Sequence, residues 1–285
     1  RIISLVKKTF DLSSGIFSSL RVLPNAIDLP KDRPHLYPTS EKKIGTVGLL
    51  IGCIGDVFTA GVNDATIRVL NRLGYDVKVI PKINCCGALA AHAGYLDHTR
   101  ELGREVLSQI ERSHVDYFIT NIAGCGAMMK EYPTVIGAET TPTVSKIKDI
   151  SEFLYQHHLE DLKALALKLA EKTTVAYHAP CHLYHGQKII DLPAKLLEVI
   201  ENAEVTLLEE NDICCGSAGT YNIERPQMGE ALLERKIDII KASDTAIVMT
   251  ANAGCLMQLK SGTDRGKMKQ QVYHFIEIID LALAK

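Results

Sequence analysis

The sequence has no excess of charge of one sign, no long uninterrupted apolar run, no nucleotide-binding loop and no C-x2-4-C cysteine pair. Each absence narrows what the chain can be. A total of 32 Lys and Arg against 34 Asp and Glu leaves a formal charge of -2, which provides no long-range field to draw in nucleic acid or acidic lipid. No nucleic-acid partner is therefore expected. The most apolar stretch, Thr46 to Val62, is broken by Asp56 and several glycines, so it falls short of the roughly 18 apolar residues a spanning helix needs. Neither G-x-G-x-x-G nor a P-loop occurs, which removes the usual sequence basis for holding a dinucleotide or nucleotide. The missing cysteine pairs exclude zinc-ribbon knuckles, and the missing C-x2-C-x2-C run excludes a ferredoxin-type cluster loop. The chain opens on Arg1 rather than Met. It therefore reads as a fragment, with neither a signal peptide nor an upstream domain legible from this end.

What the sequence does contain is eight cysteines in a repeated pattern among 285 residues. Cys181 follows Cys53 by 128 residues, Cys214 and Cys215 follow Cys85 and Cys86 by 129, and Cys255 follows Cys125 by 130. Cys-Cys-Gly recurs at residues 85–87 and 214–216, and Ala-Gly-Cys at 123–125 and 253–255. Similarity at so long a period signals two copies of one domain rather than a solenoid, whose periods are about 20–50 residues. A chain of this size does not need disulfide staples to fold. Neighbouring cysteines also bond to each other only with strain, whereas two neighbouring thiolates readily share a metal centre. Metal or cluster binding is the reading that results.

Each copy alternates strand and helix. Gly45 to Ile54 is an apolar run ending near Cys53, Val62 to Leu73 follows a helical stripe, and Tyr75 to Ile80 is the next strand. A helix through Leu102, Val106 and Ile110 then leads to the strand Tyr117 to Ile122 and Cys125. The second copy repeats this with strands at Thr174 to His178, Val205 to Leu208 and Ala246 to Thr250. Every cysteine site thus follows a strand. Strands separated by helices imply an α/β fold with mainly parallel sheets, and ligands of such sheets bind beyond the strands' carboxyl ends. The expected organisation is an N-terminal helix and linker over 1–44, then two duplicated βα domains, 45–170 and 171–285, facing each other across a pseudo-twofold axis. Residues 2–23 carry an amphipathic pattern suited to covering a core or joining an upstream domain. A membrane-surface role is disfavoured because the cationic face is thin. Asp28 to Pro38, with three prolines, reads as an extended linker.

Four thiolates per copy suit a [4Fe-4S] cluster or a tetrahedral zinc ion, and spacing alone does not choose between them. Here the motifs become specific. Cys85-Cys86-Gly87-Ala88-Leu89 with His92-Ala93-Gly94, Asn121 through Met128, Cys181-His182-Leu183 with His185-Gly186-Gln187, and Cys214 through Gly219 with Tyr221-Asn222 together resemble the cysteine-rich CCG-domain family. That family includes the heterodisulfide reductase B subunit, lactate utilisation iron-sulfur proteins and the glycolate oxidase iron-sulfur subunit. The likeness is greatest to the C-terminal part of the last and spans about residues 45–280.

The resemblance implies an iron-sulfur electron-transfer subunit of a 2-hydroxy-acid oxidase, with glycolate the first-choice substrate. Its iron-sulfur ligands would be Cys53, Cys85, Cys86, Cys125, Cys181, Cys214, Cys215 and Cys255, with a [4Fe-4S] cluster at one or both sites and zinc as the alternative. It also implies a flavin-containing oxidase subunit as partner, a ferredoxin-type iron-sulfur region absent from this chain, and a quinone-type acceptor. The location implied is cytoplasmic, with at most peripheral contact with the inner face of the membrane. In the heterodisulfide reductase relatives a fifth cysteine completes each site. Met128 and Gln258 stand at those positions here, which weighs against disulfide-reductase chemistry.

His92, His178, His182 and His185 flank the cysteine motifs, where they are suited to packing, to hydrogen bonding with sulfur or to passing a proton, and less to direct ligation. No catalytic residue is expected, because no residue set resembles a 2-hydroxy-acid site with a base and a cation for the carboxylate. The glycines at 87, 94, 216 and 219 are expected to admit close backbone approach to the clusters. The charged helices Glu101 to Arg112 and Glu230 to Lys241 read as solvated faces.

Overall fold

The computed structural model describes residues 33–80 and 85–283; the amphipathic stretch read over residues 2–23 lies outside them. The fold is α/β. Strands β1 (Leu36–Tyr37), β2 (Gly45–Leu50), β3 (Tyr75–Val79), β4 (Tyr117–Thr120) and β5 (Ile147–Asp149) form one sheet in the order β1-β3-β2-β4-β5, parallel except for β1. Strands β6 (Lys168–Tyr177), β7 (Glu201–Leu207), β8 (Ile247–Thr250) and β9 (Gln271–His274) form a second, wholly parallel sheet in the order β7-β6-β8-β9. That is the order β3-β2-β4-β5 of the first sheet, so the duplication read from the cysteines is a duplication of topology.

The central strand β2 is buried over its last four residues, as a strand covered on both faces must be. It stops at Leu50, short of the expected end near Ile54, because Gly52 turns the chain at φ 73 and releases Cys53 into the helix α1 (Cys53–Phe58). Helix α2 (Ala60–Arg72) then returns the chain to β3. Helices α3 (Ala88–His92), α4 (Leu96–Ser113), α5 (Ala123–Lys130) and α6 (Ile150–Ala164) complete the first half. The second half contributes α7 (Leu192–Leu197), α8 (Pro226–Ala242), α9 (Ala253–Arg265) and α10 (Phe275–Leu283).

Two local expectations change. Of the segment read as an extended linker, residues 28–32 lie outside the described residues and the rest is tied to the fold: Leu36 and Tyr37 pair with Lys78 and Val77, and Arg33 donates to Asp56 at 3.0 Å. Lys236, expected on a solvated face of α8, is instead buried and donates to the Glu210 carbonyl.

The halves exchange their last helices. Helix α10 packs on α2 of the first half, and α6 packs on α7 of the second, the reciprocal contact a pseudo-twofold arrangement generates. Phe275, Ile276, Ile278 and Ile279 of α10 are fully buried in a core that runs from Val47 to Ala282 through both sheets. Arg68 of α2 grips Asp280 of α10 through two oxygens at 2.9 and 2.6 Å. Its counterpart is softer, Lys195 of α7 over the Tyr155 ring of α6 at 6.0 Å. Because the core is shared, the halves should unfold together. Phe275→Ala is expected to cost about 3–5 kcal/mol. Urea transitions followed by circular dichroism and by thiol accessibility should coincide in both proteins; two separated transitions would refute the shared core.

Asp149 ends β5 and caps α6, its Oδ1 accepting from the Ser151 amide at 2.9 Å. Burial lifts its carboxyl to about 6. A carboxyl raised in the folded state favours folding below its unfolded value near 3.9, and that contribution is lost as pH rises through about 6. Asn preserves the cap and does not titrate. Between pH 4 and 8 the native protein should therefore lose up to about 3 kcal/mol relative to Asp149→Asn, read from paired urea melts. Parallel pH profiles for the two proteins would disprove the assignment.

Candidate metal centre

The carboxyl ends of three adjacent strands in each sheet deliver the cysteines. Cys53 opens α1 after β2, Cys85 and Cys86 follow β3, and Cys125 lies in the first turn of α5 after β4. In the second half Cys181 follows β6 and precedes a single π-helical turn, His182–Gly186. Cys214 and Cys215 follow β7, and Cys255 lies in the first turn of α9 after β8. Helix N-termini favour anionic thiolate, so four of the eight thiols gain from their place in the backbone. None of the eight is disulfide-bonded, and all line one cavity of about 320 Å³ between the halves. Sequence reasoning expected a crevice in each half; the pairing of the halves joins them.

The glycine of each Cys-Cys-Gly motif has a definite task. Gly87 and Gly216 sit at φ 83 and 93, a left-handed conformation that side chains resist. A Cβ on Gly216 would collide with the Gly229 carbonyl oxygen, and one on Gly87 would press on the Thr99 backbone at 3.3 Å. This turn aims the Gly87 amide at Cys85 Sγ and the Gly216 amide at Cys214 Sγ, both at 3.4 Å. Gly94 has φ 84 but open space around it, and Gly219 (φ 67) lies against the His92 ring.

Crowding splits the thiols in each half. Cys85 is driven down to about 2 by hydrogen bonds from Cys53 and Cys86 and by the Gly87 amide, while Cys53 and Cys86 are pushed up. Cys214 likewise falls to about 2 through Cys181, Cys215 and the Gly216 amide, while Cys181 and Cys215 rise. Cys255 is held low by Cys215, then by His178 and by the Asn252 amide, which donates to its Sγ at 3.6 Å. Thiols at this separation share protons because adjacent thiolates repel. Only a bound cation lets all four ionise together, so the donor set fits a soft metal or an iron-sulfur cluster.

The four histidines separate into different roles. His178 is buried, with Cys215 and Cys255 ligand atoms all within 4.8 Å of one another and of its ring. His182 Nδ1 lies 3.6 Å from Cys181 Sγ, and its Nε2 meets His92 Nε2 across the halves at 3.1 Å. Burial, and then His182, lowers the affinity of His92 for a proton. His178 and His185 both lie outside the cavity lining, His178 behind Cys215 and Cys255 and His185 with its Nε2 on the Asp212 carbonyl at 3.1 Å. Met128 and Gln258 are buried, and Gln258 Oε1 accepts from Asn222 at 3.2 Å. Sequence reasoning missed Asn252, whose Oδ1 also accepts from the Gly124 amide at 3.2 Å and so links the halves. The available signal was the break in the repeat, Asn252-Ala-Gly-Cys against Ile122-Ala-Gly-Cys.

The cysteine-rich domain model named CCG matches residues 47–130 and 175–260. The chain is 33% identical over 283 residues to a probable glycolate oxidase iron-sulfur subunit of Bacillus subtilis, covering 93% of this chain and 63% of that protein. It is 27% identical to lactate utilization protein A of Shouchella clausii, covering 82% of this chain and 98% of that protein. It is also 31% identical to an uncharacterized iron-sulfur protein of Methanococcus maripaludis, covering 87% of this chain and 49% of that protein. Two matched segments, each holding one complete cysteine quartet and its Cys-Cys-Gly turn, establish that the chain belongs to the cysteine-rich CCG-domain family.

Proposed function

We propose that the chain is the iron-sulfur subunit of a 2-hydroxy-acid oxidoreductase, glycolate being the preferred substrate, and that it relays electrons between a flavin-bearing subunit and a quinone-type acceptor. The observation that carries this reading is the single cavity lined by eight unpaired thiols. The names of the Bacillus subtilis and Shouchella clausii relatives support the hydroxy-acid assignment. Cys53, Cys85, Cys86 and Cys125 would hold one centre, and Cys181, Cys214, Cys215 and Cys255 the other. A bound [4Fe-4S] cluster would supply reversible one-electron storage.

The chain's own part is to hold and tune the centres. The Gly87 and Gly216 amides donate to sulfur, which stabilises the reduced, more negative state. The wall is largely apolar, including Ile54, Phe58 and Ile122, and opens to solvent near the exposed Cys53. Hydride abstraction from the hydroxy acid is assigned to the flavin partner, and a ferredoxin-type region outside this chain completes the route. No helix among the described residues is long and apolar enough to cross a membrane. Access to a membrane quinone would therefore use peripheral contact, which we place on the cytoplasmic face. A zinc centre is the second reading, favoured by the mixed nitrogen and sulfur donors of His178, Cys215 and Cys255.

Anaerobic reconstitution with iron, sulfide and zinc in competition should give about four irons and four sulfides per occupied site, with an EPR signal on reduction. Stoichiometric zinc without that signal would replace the relay reading. Cys85→Ser and Cys214→Ser should each remove iron from one half only.

A companion assay measures glycolate-dependent dye reduction. The isolated chain should be inactive, and activity should require the flavin subunit; turnover by the chain alone would end the relay assignment.

A further inference from the structure

The duplication allows the two centres to be compared position by position. In the first sheet Val47 pairs with Tyr117 and Leu49 with Ile119; in the second Val175 pairs with Ile247 and Tyr177 with Met249. The counterpart of His178 is therefore Leu50, the next residue on the matching strand. Both are about 1% exposed. Leu50 belongs there, inside an apolar cluster with Cys86 and Met128. His178 meets no nitrogen or oxygen partner there; the polar groups beside its ring are thiols, and the ring helps hold the Cys255 thiol low. A buried histidine that only packs is ordinarily placed beside a carbonyl. His274 and His185 are so placed, on the Asn121 and Asp212 carbonyls. The ring of His178 lies instead with Cys215 and Cys255, their ligand atoms within 4.8 Å of one another.

Two other positions break the repeat in the same sense. Asn252, which donates to Cys255 Sγ, stands where the first half has Ile122. The buried Lys236 of α8 stands where α4 has Val106: buried positions 99, 103, 106 and 110 of α4 match 229, 233, 236 and 240 of α8. Burial lowers the proton affinity of Lys236, and Glu210 and Cys215 partly restore it. Three apolar side chains of the first half thus correspond to an imidazole, an amide donor and an amine in the second.

We propose that His178 is a direct ligand of the second centre, beside Cys215 and Cys255, and that this centre has the higher reduction potential of the two. The inference rests on the iron-sulfur reading. A [4Fe-4S] cluster offers four protein-ligand positions, so an imidazole on it leaves one of the four cysteines as an unbound neutral thiol; that removes one negative charge from the centre, donors to sulfur offset more, and an added electron is better tolerated. The first centre, ringed by Leu50, Ile122 and Val106, has no such compensation. An electron delivered to the chain comes to rest on the second.

The test uses the full chain reconstituted with iron and sulfide, reduced, and examined by pulsed EPR. A strong nitrogen-14 coupling is expected; growth with nitrogen-15 histidine should convert it to the nitrogen-15 pattern. His178→Ala should abolish the coupling and His182→Ala should retain it. In a redox titration His178→Cys should lower the potential of the more oxidising centre and leave the other unchanged. A cluster signal without histidine coupling in the wild-type chain, or a coupling that survives His178→Ala, would overturn the inference while leaving the iron-sulfur reading intact. Failure to form any cluster would defeat both. The labelling experiment needs no variant, so the ligand assignment remains open to refutation even if His178→Ala does not fold.

Discussion

The exchange of terminal helices between the halves is the contact on which the remaining structure depends. Fully burying a large apolar side chain stabilises by about 1.5–3 kcal/mol. The four such residues of α10, a helix that packs against both halves, therefore supply an amount comparable to the whole net stability of an ordinary domain. With α10 seated on α2 and α6 on α7, the carboxyl ends of the two sheets have only one relative placement. That placement turns two crevices into one cavity. It also fixes the loop carrying Cys125, because three groups of the second half bind residues 121–124: His274 at the Asn121 carbonyl, Gln187 at the Ala123 carbonyl and Asn252 at the Gly124 amide, at 3.0, 3.0 and 3.2 Å. The last ligand position of the first half is held by the second.

Within the cavity the governing force is repulsion between thiolates. Folding brings the members of each quartet close enough to hydrogen-bond to one another, so Cys85 in the first and Cys214 and Cys255 in the second ionise at the expense of their neighbours. Helix N-termini and the left-handed glycines offset part of that cost by aiming amides at sulfur. A cation offsets the rest. The Cys-Cys-Gly motif is thus an electrostatic device as well as a turn.

Duplication gave both halves this device and divergence then altered its surroundings. The changes run in one direction, from apolar contacts around Cys86 and Cys125 to nitrogen-bearing side chains around Cys215 and Cys255. The His92–His182 pair, its nitrogens 3.1 Å apart at the cavity wall, brings the halves together a second time and has no equivalent on the opposite side of the repeat.

The sequence by itself determined the family, the α/β class, the duplication and the placement of every cysteine after a strand. These follow from spacing, from local periodicity and from Cys-Cys-Gly, all properties of residues near one another in the chain. It missed β5 and β9, which at three and four residues are too short to establish a period. It also placed Lys236 in solvent and the residues after Arg33 in a linker, because burial of those positions depends on partners far away in sequence. Whether a histidine packs, donates or ligates was equally undetermined: His178 and His185 flank Cys181 alike, yet one is enclosed with two thiols and the other rests on a carbonyl. Only the tertiary structure decided that the two quartets share a cavity and differ in their surroundings. The reason is physical: a shared cavity depends on packing between helices of different halves, well separated in the chain, and no local pattern encodes it.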